Sequence, residues 1–200
     1  MKHRVLVACE YSARVRDAFR AKGCDAWSCD LEPCEGDSTW HLKKDVLSVL
    51  DDGWDLMISH PPCTHLAVSG ARHFAKKIAD GRQQQALEFV QKLLNASIPR
   101  IALENPISII SSRIRKPDQI VQPWMFGHSE TKATCFWLKN LPPLMPTHCD
   151  GDLFCQPEPA EKLPKVWLMP PSETRWKDRS RTYKGIAQAM ADQWAPLLYA

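Results

Sequence analysis

Glycine is scarce in this chain, 8 residues of 200, and the shortage falls at a sensitive place. The segment Cys9-Glu10-Tyr11-Ser12-Ala13, directly after the first apolar run, contains none. Ser12 and Ala13 are small but carry a Cβ, so a positive φ in this loop costs energy that glycine would avoid. No apolar run approaches the ~18 residues a membrane-spanning helix needs. No signal-peptide pattern precedes Arg4-Val5-Leu6-Val7-Ala8-Cys9, and the expectation is a cytoplasmic chain with reduced thiols. Among 8 cysteines there is no Cys-x-x-Cys pair. His148, Cys149 and Cys155 match no standard finger spacing, so no metal is expected. Internal repeats and low-complexity tracts are also missing. The net charge of +3 is too small to prescribe a nucleic-acid partner by itself.

What remains is ordinary globular material, 44% apolar and 24% charged, and it suits a single domain over residues 1–200. Buried strands are expected at Arg4–Cys9, Asp25–Leu31, Trp54–Ser59 and Arg100–Leu103. Helical spacing runs over Arg14–Lys22, with Gly23 as its cap, over Gln83–Ala96, and near the C-terminus over Gly185–Leu198. Strands alternating with helices point to an α/β fold, a Rossmann-like doubly wound, mostly parallel sheet. From about residue 117 prolines multiply, and Cys135–Leu138 reads as an isolated strand. Residues 140–180 form a short proline-rich insertion within the domain.

Two consecutive prolines, Pro61 and Pro62, end the third of these strands abruptly, because proline fixes φ and offers no N–H to a sheet. They present Cys63 on a stiff turn at a strand's carboxyl end, where open α/β sheets place their ligands. The neighbouring strand ends carry Glu10, Asp30 and Glu104-Asn105. A doubly wound topology gathers these residues along one edge, bringing together a possible nucleophile, a carboxyl partner and an acid suited to ribose hydroxyls. Taken singly, Glu10 and Asp30 also read as helix caps or loop acids, Glu104 as half of an ion pair, and Cys63 as an inert thiol.

Pro61-Pro62-Cys63, Glu104-Asn105-Pro106 and Arg181-Thr182-Tyr183-Lys184-Gly185-Ile186-Ala187 together resemble the DNA cytosine-5 methyltransferases, in the compact form often encoded by bacteriophages. The resemblance spans nearly the whole chain. It implies the S-adenosylmethionine-dependent methyltransferase fold, and a location in the host cytoplasm if the chain is phage-encoded. Cys63 would add to carbon 6 of cytosine as a thiolate, making carbon 5 nucleophilic toward the methyl of S-adenosyl-L-methionine. Glu104 would hold or protonate ring nitrogen 3. Asn105 would fix the loop, and Pro61 and Pro62 would aim the thiol. Glu10, Tyr11, Asp30, Leu31, Asp45, Val46 and Pro61 would surround the cofactor. A target in duplex DNA would have to leave the base stack.

The chain departs from that family in three respects. Its first motif has no glycine. The Gln-x-Arg-x-Arg pattern is missing, with Thr131 or Lys132 in about its place. The recognition domain is reduced to the 140–180 segment, so duplex DNA, single strand and nucleotide all stay open as substrates. Arg72, Lys132, Arg179 and Arg181 are the expected contacts to nucleic acid, drawn from basic runs that flank the strand ends. Three other readings stand beside this one: an amino-group methyltransferase acting on N4 of cytosine or N6 of adenine, with His60 holding the exocyclic nitrogen; a catalytically inactive nucleic-acid-binding relative; and a thiol hydrolase using His60 or His65, for which no orienting acid is apparent in sequence.

Overall fold

Short apolar segments, aliphatic in β1, β4 and β5 and partly aromatic in β2 and β7, build one seven-stranded sheet. The computed structural model describes residues 2–147, 170, 172, 173 and 175–199. His148, Cys149, Cys155 and most of the proline-rich insertion lie outside them. The strands are β1 Arg4–Ala8, β2 Asp25–Asp30, β3 His41–Lys43, β4 Leu56–Ser59, β5 Arg100–Pro106, β6 Gln119–Val121 and β7 Thr134–Lys139. Their spatial order is β3-β2-β1-β4-β5-β7-β6. Strands β1 to β5 are parallel, and β7 runs antiparallel to both β5 and β6. The protein is therefore α/β with a mostly parallel sheet. Its winding reverses between β1 and β4, so a crevice opens beyond the carboxyl ends of those two strands.

The helices are α1 Arg14–Ala21, α2 Phe74–Ala79, α3 Arg82–Leu94, α4 Ile110–Arg113, α5 Arg175–Ser180 and α6 Lys184–Trp194. Alternation along β1 divides the core between two faces. Val5 and Val7 pack with Val15 and Phe19 of α1 and with Met190 and Trp194 of α6. Leu6 and Ala8 pack with Met57, with Trp137, and with Val90 and Leu93 of α3. Each such large apolar side chain removed from water contributes about 1.5–3 kcal/mol, and this two-sided burial holds the carboxyl ends of β1, β4 and β5 level.

Several sequence expectations change in the structure. The strand around Cys135–Leu138 is not isolated; it is β7, seated between β5 and β6. That pairing also carries β5 past Leu103, with Glu104 opposite Phe136 and Asn105 opposite Cys135. β4 begins at Leu56 rather than Trp54, whose indole turns back to donate to the Val49 carbonyl at 2.7 Å. The last helix stops at Trp194, and Pro196, which has no N–H to extend it, opens a separate 3₁₀ turn. In the glycine-free loop Cys9 (φ 59°) and Ala13 (φ 62°) both take left-handed backbone, at about 1–2 kcal/mol each. The close approach falls instead on Gly36, where an added Cβ would lie 2.9 Å from the Ala13 Cβ.

Candidate active site

Register determines how the site is assembled. Ala8 of β1 lies beside Ser59 of β4, and Ser59 beside Leu103 of β5. The residues that follow, Cys9-Glu10, His60 through Cys63, and Glu104-Asn105, therefore emerge side by side. The His60 N–H donates to the Ala8 carbonyl at 2.9 Å, which keeps the chain in sheet geometry up to the prolines. Asn105, 1% exposed, donates from Nδ2 to the Pro61 carbonyl at 2.9 Å. This buried bond ties the Pro-Pro turn to β5.

Beyond Cys63 the chain makes a helical turn, in which the Cys63 carbonyl accepts from Leu66 N at 3.0 Å and Ala67 N at 2.9 Å. The turn is sewn to the loop after β5. Val68 N donates to the Ile107 carbonyl, Ile109 N donates to the Leu66 carbonyl, and Ala67 bridges Ser108. Two buried side chains behind the turn complete the support: Lys77 Nζ donates to the Thr64 carbonyl at 2.5 Å, and Gln83 Nε2 to the His65 carbonyl at 3.4 Å. Neither was marked in sequence as a support for this turn: Lys77 read as one of the cations in the basic run after the Cys63 loop, and Gln83 as the first residue of a helix.

Glu104 faces the crevice but is not alone. Its Oε2 lies 3.0 Å from His60 Nδ1, and the two side chains are 14% and 8% exposed. Burial works to raise the Glu104 pKa, yet the hydrogen bond and charge of His60, helped by Lys132, outweigh it and hold the carboxyl below its ordinary range. The Cys63 thiol, half-buried, moves the other way. Burial and the Glu104 charge raise its pKa, while Lys132 and Arg179 draw it down. The structure thus brings Cys63, Glu104, Lys132 and Arg179 into one electrostatic neighbourhood. Lys132 Nζ donates to the Arg179 carbonyl at 2.9 Å, joining the segment before β7 to α5. Glu104 and Lys132 line a small open cleft with Thr134, Thr182, Tyr183 and Ile186. Thr182, Tyr183 and Ile186 belong to the Arg181–Ala187 motif, whereas Thr134 was not distinguished in sequence from ordinary strand residues.

On the β1–β2 side the expected residues are differently placed. Glu10 is 4% exposed and caps α1: its oxygens accept from Val15 N at 2.8 Å, Arg16 N at 3.2 Å and Ser12 Oγ at 3.2 Å. Burial raises its pKa despite the opposing charge of His60 and those bonds. Tyr11 is buried, its hydroxyl donating to the Lys177 carbonyl at 2.5 Å and meeting Ser180 Oγ at 3.0 Å. Asp30 ends β2 half-buried, accepting from Glu32 N at 2.9 Å, and Leu31 beside it is 72% exposed. Asp45 is exposed and caps a short 3₁₀ turn through Leu47 N at 3.0 Å, while Val46 is buried.

The expected phosphate contacts do not form one set. Lys132 and Arg179 stand at the site. Arg72 is exposed on the 3₁₀ segment Val68–His73, where its Nε meets its neighbour His73 at 3.0 Å. Arg181 is engaged internally, forked onto Glu35 at 2.9 and 2.6 Å and paired with Asp178. Lys177 pairs with Glu32 at 3.4 Å. Part of the basic run 175–184 therefore straps α5 to the acidic loop after β2. The orienting acid missing from the hydrolase reading is present, as Glu104 on His60 at 3.0 Å. Among the described residues no His, Cys, Asp and Glu cluster could hold a metal ion, and no helix is long and apolar enough to cross a membrane. The chain matches no protein-family model and no curated protein, which leaves the geometry of this site to carry the functional reading.

Proposed function

We propose that this protein transfers a methyl group from S-adenosyl-L-methionine to carbon 5 of cytosine in DNA, through a covalent adduct on Cys63. One observation carries the reading: Cys63 on its Pro-Pro turn and Glu104 on β5 sit at adjacent strand ends, tied through Asn105 to Pro61. A cytosine ring is a poor nucleophile at carbon 5, and thiolate addition at carbon 6 is the step that activates it. Glu104, at the cleft, receives ring nitrogen 3 and offsets the negative charge that addition creates. Lys132 and Arg179 favour the thiolate and suit a phosphate backbone beside the target base.

The β1–β2 side fits the cofactor's chemistry. The half-exposed Asp30 carboxylate suits ribose hydroxyls, and the exposed Leu31 offers a flat apolar contact to a purine. Bound there, the cofactor supplies an electrophilic methyl group. Glu10 presents no free carboxylate to it, since both its oxygens cap α1. The doubly wound sheet agrees with the methyltransferase fold that the motifs imply. Methylation at an exocyclic amine would leave the Cys63 thiol without a role.

The test is a covalent trap. The protein is incubated with S-adenosyl-L-methionine and an oligonucleotide carrying 5-fluorocytosine, duplex and single-stranded in separate arms, and scored for a denaturation-resistant adduct. Wild type should be trapped and Cys63→Ser should not. An untrapped wild type on every DNA offered would sink the reading in favour of a non-catalytic binding protein. Methyl found on an exocyclic nitrogen, by mass spectrometry of the digested nucleosides, would sink it in favour of an amino-group enzyme.

A further inference from the structure

We infer that His60 is the proton reservoir for Glu104: its buried Nδ1, 3.0 Å from Glu104 Oε2, supplies the proton that Glu104 passes to ring nitrogen 3 and takes it back at the end of the cycle. The inference rests on the cytosine methyltransferase reading and deepens it. It makes His60 a positioning residue that acts on substrate only through Glu104.

Glu104 faces a difficulty. Thiolate addition pushes an electron pair onto nitrogen 3, so the carboxyl must deliver a proton at that moment. The His60 hydrogen bond and charge keep the resting carboxyl ionised, and a carboxylate has no proton to give. The proton must come from a neighbour already bonded to it, and Nδ1 of His60 is that neighbour. Lys132 also acts on Glu104, but its ammonium donates to the Arg179 carbonyl.

Among the described residues no other proton donor is hydrogen-bonded to the pair. His60 Nε2 is buried and has no hydrogen-bond partner among the described residues. The titratable groups around the pair are Glu10 beyond β1, Cys63 in the same turn as His60, Lys132 before β7, and Cys135 on β7, which feels Glu104. Glu10 already accepts two backbone N–H groups and a hydroxyl.

The steps balance. Sulfur donates a pair to form the S–C6 bond. The C5=C6 pair becomes C4=C5, and the C4=N3 pair takes the single proton that His60 Nδ1 passes through Glu104, leaving Glu104 again a carboxylate and His60 neutral. The C4=C5 pair then forms the C5–CH3 bond as the methyl–sulfur bond of S-adenosyl-L-methionine breaks toward its sulfur, releasing S-adenosylhomocysteine, and the nitrogen 3 lone pair rebuilds C4=N3. Carbon 5 gives its proton to water and the C5–H pair rebuilds C5=C6. Sulfur leaves with the S–C6 pair, and nitrogen 3 returns its proton to Glu104 and thence to His60.

His60→Asn tests this, because the amide keeps a donor toward Glu104 but has no proton to release. DNA affinity and melting temperature should stay near wild type. Single-turnover methylation near neutral pH should fall on the order of 100-fold, within the range for a lost proton transfer. The pH profile separates this from a structural role. In the variant Glu104 must be protonated from solvent, so the rate should drop about tenfold per pH unit between about pH 6 and 8. Wild type, with its own reservoir, should be flatter there. In wild type, nitrogen-15 spectra of labelled histidine should show His60 as an imidazolium near neutral pH. A variant within about threefold of wild type with the same pH slope, or a neutral His60 ring, overturns the inference while wild-type methylation leaves the parent reading intact. Absence of methylation and adduct in wild type overturns the parent reading itself, and the proton's destination with it.

Discussion

Gly185→Ala sets two well-understood effects against each other at the first turn of α6. The substitution should help the helix, since alanine is favoured over glycine by about 1 kcal/mol in a helix interior. Packing opposes it. A Cβ on residue 185 would lie 2.0 Å from the Phe126 carbonyl oxygen, 3.0 Å from its carbon and 2.9 Å from His128 Nε2. The first two are backbone atoms, so no side-chain rotation relieves them, and α6 must retreat from the 3₁₀ turn Pro123–Phe126. Retreat also stretches the bond from Gly185 N to His128 Nε2, now 3.0 Å. Overpacking costs about 1–3 kcal/mol and the hydrogen bond about 1 kcal/mol. The balance is a net loss of roughly 2 kcal/mol, or about 4–8 °C in a protein of this size. Calorimetric melting of the two proteins measures it. A melting temperature equal to or above wild type would show that propensity wins and that the α6 approach is looser than this contact implies. Because Thr182, Tyr183 and Ile186 line the cleft from the same turn, adduct formation should fall along with stability.

Other consequences are equally open to measurement. Asn105→Ala removes the buried bond to Pro61 and strands that carbonyl, a loss of about 1–3 kcal/mol; melting and trapping should both weaken, and unchanged trapping would show that the turn holds Cys63 unaided. Lys132→Met removes one of the two cations that draw down the Cys63 pKa, so alkylation of Cys63 by iodoacetamide should slow at fixed pH and recover in Lys132→Arg. Burial pushes Cys29 and Cys135 up to about 11, so mass mapping of the alkylated protein near pH 8 should find Cys63 and the partly exposed Cys34 modified well before either. Asp118 is held below its ordinary pKa because its bonds from Leu138 N and Arg115 outweigh the opposing effect of burial. A depressed carboxyl stabilises the fold above its unfolded pKa and loses that contribution as pH falls through the folded value. Stability should therefore hold from neutral pH down to about 5 and decline below about 4, and Asp118→Asn should flatten the decline; an unchanged slope would move the acid sensitivity elsewhere.

Much of the scaffold was legible in the sequence, for reasons visible in particular residues. β1, β4 and β5 announce themselves as short aliphatic runs cut off by charge or proline, β2 as Ala-Trp-Ser-Cys between two aspartates, and α3 by its apolar stripe. β3 and β6, three residues each, are too short for any period to register. β7 was visible as Cys-Phe-Trp-Leu, but its place was not, because an antiparallel seat between β5 and β6 depends on contacts no local pattern contains. The same limit applies at the site. Proline chemistry displays Cys63, and strand alternation brings Glu104 to the neighbouring strand end. The bond between His60 and Glu104 comes from β4–β5 register and the direction in which each side chain leaves its strand. Arg181 reads in sequence as one more cation in a basic run; only the fold of the loop after β2 brings Glu35 to it. The glycine-free loop shows sequence logic overridden, since two residues with a Cβ hold the left-handed backbone while Gly36 yields the space.

The stitching of the Cys63 turn to the loop after β5 bears on how this site is regulated at all. Val68 to Ile107, Ile109 to Leu66 and the Ala67–Ser108 bridge bind the two loops into one rigid body that carries thiol and carboxylate together. A ligand, a substitution or a thermal fluctuation that displaces one group displaces the other in the same direction. On that frame, displaying the sulfur while turning the carboxylate aside would cost the backbone bonds that join the two loops. Such a half-armed thiol would be exposed to oxidants and stray electrophiles, and the shared frame protects the chain from that hazard.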